Sequence, residues 1–141
     1  MGCSRGVSIF HFPCSNPQES TQMSIVRIES GKRMSQAVVA NGFVFLAGQV
    51  APDPVADVTA QTRQVLAEVD RLLAMAGSHK SHIVSANVFL PQIADFAAMN
   101  AAWDEWVAPE AKPARATTEA KLAAAEYLVE IQVTAVVGAK P

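Results

Sequence analysis

QAVVANGFVFLAGQ, residues 36–49, holds two short apolar runs on either side of Asn41-Gly42. Asn-Gly tolerates the positive φ angles of a two-residue type I′ turn, whose twist matches that of the flanking strands. The stretch therefore reads as a hairpin of strands Gln36 to Ala40 and Phe43 to Gln49. In its second arm, Phe43, Val44, Phe45 and Leu46 are apolar without alternation, so both faces of that strand need cover.

Outward from the hairpin, a first strand lies near Ile25 to Ile28. Downstream, Asp57 to Ala76 carries Val58, Val65, Leu66, Val69, Leu72 and Leu73 at spacings of three and four. Gln64, Glu68, Asp70 and Arg71 fall on the other side, and Gly77 closes what is an amphipathic helix. Ile83 to Leu90 is a strand. Asp95 to Val107 is a second helix, with Phe96, Met99, Trp103 and Trp106 along one stripe and Pro109 ending it. Ala114 to Leu122 and Tyr127 to Val137 complete the set. The expected class is α+β, order βββαβαββ, with about six strands in a mixed sheet and two helices on one face. Helices about 10 Å wide cannot cover both faces of such a sheet, whose strands lie about 4.8 Å apart. A second copy of the sheet is the economical cover, and a closed homo-oligomer is expected. In the last strand Val129, Ile131, Val133 and Ala135 point to the helices, leaving Glu130, Gln132 and Thr134 for the partner. The same alternation puts Arg115, Thr117 and Glu119 together as a charged row suited to lining a cleft.

With 141 residues, half of them apolar, the chain can form one core without metal or disulfide. A net charge of −2 with mixed signs lacks the positive field that nucleic acid demands. Both cysteines, Cys3 and Cys14, lie in the polar, unpatterned stretch 1–22, which reads as an extension to a domain spanning 23–141. Its apolar run, Val7 to Phe12, is too short for a signal peptide or membrane span, and Gly2 lacks the rest of a myristoylation motif. A cytoplasmic, non-membrane protein is expected. His79 and His82 have no third ligand nearby, and the two cysteines have no fixed base, so neither a metal site nor a thiol nucleophile is expected.

Several consecutive blocks carry a family resemblance: AVVANGFVFLAGQVAPDP, DVTAQTRQVLAEVDRLLAMAG, IVSANVFLPQIADFAAMNAAW, KPARATTEAKL and LVEIQVTAVV. Their order and spacing, with Pro113-Ala114-Arg115 the most diagnostic, resemble the RidA/YjgF family over about 115 residues. The resemblance implies a chorismate-mutase-like fold and a homotrimer whose sheets form a central barrel. It also implies three clefts between subunits and hydrolysis of imines or enamines, such as 2-aminoacrylate, to 2-keto acids and ammonia without cofactor or metal. Arg115 matches the arginine that binds the substrate carboxylate, and Glu130 the acid that positions water or shuttles a proton. Gly48 matches a glycine of the site wall, and Asn100 a residue near the pocket.

The chemistry is economical. An imino acid offers a carboxylate to hold and an electrophilic carbon to hydrate, and a planar guanidinium suits the first through two parallel hydrogen bonds. A final hairpin turning near Ala124-Ala125 would set Arg115 opposite Thr134, roughly 13 Å along from Glu130, and so favour a site shared between subunits. The departures from the family pattern cluster at the pocket. Lys32-Arg33-Met34 replaces a common Gly-Pro-Tyr, so Met34 takes the place of an aromatic site residue. Ala47 replaces a common serine, Thr117 replaces a common cysteine while keeping a polar group, and Ala123-Ala124-Ala125 lacks the usual proline. Carboxylate capture thus transfers more directly than substrate identity. A non-catalytic module binding small carboxylates is the alternative function, and a ribonuclease or translation inhibitor ranks last.

Overall fold

The structure is a computed structural model, and it describes residues 24–138. The readings of residues 1–22 as an extension, and of Cys3 and Cys14, lie outside the described residues. Six strands and two helices follow the expected order: β1 (Val26–Ser30), β2 (Ser35–Ala40), β3 (Phe43–Leu46), α1 (Val58–Met75), β4 (Ile83–Leu90), α2 (Phe96–Trp106), β5 (Ala114–Glu119) and β6 (Glu130–Val136). Two short 3₁₀ turns, Lys80–His82 and Ile93–Asp95, sit at the ends of β4. Asn41 at φ 50° and Gly42 at φ 80° form the expected tight turn between β2 and β3.

The sheet order is β1-β2-β3-β6-β4-β5, with β4 and β5 parallel and all other pairs antiparallel. This corrects the expected final hairpin: β5 and β6 do not pair, because both flank β4. The burial pattern gives the reason. In and just before β6, Val129, Ile131, Val133 and Ala135 are all buried and need neighbours on each side, whereas no residue of β5 is fully buried. The strand with the most to bury is inserted between β3 and β4, and β5 takes the edge. Helix α2 makes the parallel β4–β5 pairing possible, since parallel strands need a crossover of a dozen or more residues.

Both helices lie on one face of the sheet. The core there unites Val65, Leu66, Val69, Leu72 and Leu73 of α1 with Val44, Leu46, Val88, Ile131 and Met99. The Asp57 side chain caps α1 by accepting from the Ala60 N–H, 2.9 Å. Gly77, at φ 75°, supplies the left-handed exit, and Ser78 N–H returns to the Leu73 carbonyl. On the other face, Phe43 and Phe45 remain 39% and 47% exposed, as their lack of cover within one chain requires.

Candidate active site at the β5 edge

Arg115 pairs in register with Ala86, and Thr117 with Val88, so both side chains share the helix-covered face with those buried residues. Arg115 is partly buried beneath α2. Its guanidinium carbon lies 4.9 Å from the centre of the Trp103 ring and 5.9 Å from that of Phe96. Among the described residues it forms no salt bridge, and no residue accepts a hydrogen bond from it. Burial disfavours its charged form and draws its pKa below the usual guanidinium value, and the charge of Asp104 offsets part of that shift. The result is a cation held among aromatic rings with its hydrogen-bond donors unspent.

Asn100 stands four residues after Phe96 and three before Trp103, on the same stripe of α2 as the two rings. Its Oδ1 is buried without a hydrogen-bond partner, as is Thr117 Oγ1. The seam between α2 and β5 therefore gathers three of the expected site residues: Arg115, Thr117 and Asn100. Glu119 does not join them in a charged row, because its carboxylate accepts from the Ile93 N–H at 3.0 Å and caps the turn before α2. The place of Trp103 on the apolar stripe of α2 is expected from the sequence, but its contact with Arg115 is not. The helical spacing of Phe96, Asn100 and Trp103 was legible, but which strand would lie under that stripe was not.

Glu130 and Gly48 form a second group, on the opposite face of the sheet. Glu130 pairs with Phe89, and a Cβ placed on Gly48 would fall on the Glu130 carboxylate. The close crossing of the acid leaves no room for a Cβ there, in a segment after β3 that the reciprocal Gln49–Ile131 bridge ties to β6. Gln49, buried, donates to Gln36 Oε1 and to the Ala47 carbonyl, each at 3.0 Å, and stiffens the same bend. Arg115 lies level with Val133, three residues from Glu130 and two strands away, about 10 Å in each direction. Within one chain the two groups cannot meet.

Met34 belongs to a third place. It lies in the exposed turn between β1 and β2, where its carbonyl accepts from Gly31 N–H at 2.7 Å. Four strand spacings, about 19 Å, separate β2 from β5. Grooves of about 300 Å³ beside Ser81–Val84 and about 310 Å³ between α1 and α2 contain none of the expected site residues. Among the described residues no cluster of three or more His, Cys, Asp or Glu could hold a metal ion.

A six-stranded mixed sheet with two helices on one face defines a small α+β domain of the chorismate-mutase-like kind. Residues 24–137 match the family model described as Endoribonuclease L-PSP. A RutC family protein of Haemophilus ducreyi is 46% identical over 113 residues, covering 80% of this chain and 97% of that protein. The RutC family protein YoaB of Escherichia coli is 43% identical over 115 residues, covering 82% and 100%. The crystal structure of a YjgF family member from Neisseria meningitidis superposes with a TM-score of 0.81 at 44% identity, covering 84% of this chain and 98% of that one. The chain belongs to the RidA/YjgF/L-PSP family.

Proposed function

We propose that the protein hydrolyses small 2-imino or enamine acids, with 2-aminoacrylate as a representative, to 2-keto acids and ammonia. The observation that carries this reading is Arg115: a partly buried cation on an edge strand with no anionic partner among the described residues. Burying a charge without a partner is costly, and a ligand carboxylate relieves that cost while accepting two parallel hydrogen bonds. An enamine first gains a proton at its β carbon and loses one from nitrogen to become the imine. Water then adds to the imine carbon. Glu130 takes a proton from the attacking water and delivers it to nitrogen, giving a carbinolamine. Its hydroxyl proton then passes to nitrogen as the C–N bond breaks, so that ammonia leaves as the carbonyl forms. No metal or cofactor enters the balance.

Because Arg115 and Glu130 occupy opposite faces of one sheet, the reading requires subunits to share the site. A homotrimer with its open faces turned inward supplies that arrangement. It covers Phe43 and Phe45, and it brings the Met34 turn and the Glu130 face of one copy towards the β5 edge of the next. The test is ammonia release from imino acids generated in situ by an amino-acid oxidase. Wild type should accelerate it, and Arg115→Ala, losing a charge-assisted pair, should be about 30- to 150-fold slower. If both match the uncatalysed rate while pyruvate still binds wild type, the protein is a carboxylate-binding module without catalysis. Steeply salt-dependent RNA binding would instead favour the ribonuclease reading.

A further inference from the structure

We propose that Trp103, assisted by Phe96, is the positioning residue for Arg115: it holds the guanidinium by its face, so that every N–H donor stays available to an anionic ligand. The inference rests on the reading that Arg115 binds a carboxylate, and it identifies what aims that arginine.

The geometry leads there by elimination. An arginine used for recognition must be oriented in advance, and the usual device is a neighbouring carboxylate, which consumes one edge of the fork. Among the described residues, no carboxylate forms a salt bridge with Arg115, although Asp104 is near enough for its charge to be felt. What does touch it is aromatic, at 4.9 Å and 5.9 Å. Guanidinium donors lie in the plane of the group and its attraction to a ring acts through the face, so stacking orients the cation without occupying a donor.

Trp103 is itself immobilised, being only 6% exposed, with its ring centre 5.4 Å from that of Trp106. Trp106 Nε1 donates to Asp70 Oδ2 at 2.9 Å, which ties the pair to α1. A rigid path thus runs from α1 through two indoles to the guanidinium. Phe96, 43% exposed, borders the cation from the solvent side of the same stripe.

Pyruvate serves as the probe, with its dissociation constant measured by calorimetry on the full-length protein. Trp103→Leu, which stays apolar but removes the π face along with part of the volume, should weaken binding about 2- to 30-fold. Trp103→Phe, which keeps a π face, should restore most of the affinity. A packing role would instead make affinity fall in step with melting temperature across the two variants, since both side chains are smaller than tryptophan. Emission supplies a second readout: in Trp106→Phe, Trp103 is the sole indole, and its emission should respond to pyruvate but not when Arg115→Met is added. The proposal is overturned if Phe and Leu weaken binding equally, or if the emission response survives loss of the arginine. Should Trp103→Leu fail to fold, Phe96→Leu on the exposed side decides the matter, and unchanged affinity there counts against the proposal. Unaltered pyruvate binding in Arg115→Met alone would refute the carboxylate reading itself, a different outcome from any of these.

Discussion

Arg115 and Gly48 act through what they lack. Among the described residues the arginine forms no salt bridge, so its desolvation is offset only in part, by the charge of Asp104, and an anionic ligand would relieve the rest. The glycine lacks a side chain, and the space is filled by the Glu130 carboxylate. Gly48→Ala should therefore displace that carboxylate while leaving the core untouched, since the obstructing atoms are the end of a side chain and not backbone. If Glu130 moves the proton, Gly48→Ala should lower kcat about 100-fold or more, close to the effect of Glu130→Gln, with a melting temperature near wild type. Full activity in Gly48→Ala beside an inactive Glu130→Gln would show that the acid works from another position.

At the scale of elements, two polar side chains hold loops and strands to α1. Gln61 is wholly buried on α1, where its amide donates to the carbonyls of Pro54, Ala56 and Glu126, each at 3.0 Å, and its Oε1 accepts from Leu128 N–H. It staples the segment entering α1 to the segment entering β6. Gln61→Leu would leave those part-buried backbone groups without their partner, and should cost about 1–3 kcal/mol of stability in urea unfolding at fixed protein concentration. Glu29, at φ 49° in β1, receives Arg71 of α1 through two hydrogen bonds of 2.6 and 3.1 Å. Arg71 holds the Glu29 carboxyl below its ordinary pKa. A depressed folded-state value means the stabilisation is complete above the unfolded pKa and vanishes as pH falls through the folded one. Glu29→Gln should melt below wild type at neutral pH, and the gap should close as pH drops below about 4.

On the scale of the whole molecule, the uncovered face of the sheet is where the proposed subunit contacts would form. Phe43 and Phe45, with ring centres 6.3 Å apart, are large apolar groups left open by a chain whose two helices serve the other side. Phe45→Asp should convert an oligomer into monomers in sedimentation velocity at micromolar concentration, and imine hydrolysis should fall with it if subunits share the site. Wild type sedimenting as a monomer would refute the shared site outright. Element order, the Asn41-Gly42 turn, both helices and the inward row of β6 were legible in the residues, because periodicity and turn chemistry are local and repeat over short windows. The carboxylate-binding candidate was legible through Pro113-Ala114-Arg115 and the blocks around it. Strand order was not, since the insertion of β6 between β3 and β4 depends on which pairings bury the most apolar surface across the whole chain. For the same reason, only the tertiary structure decided that Arg115 faces the rings of α2, whereas the outward side of Glu130 was already legible in the alternation of β6. A strand's alternation says which residues share a side, but packing chooses the side.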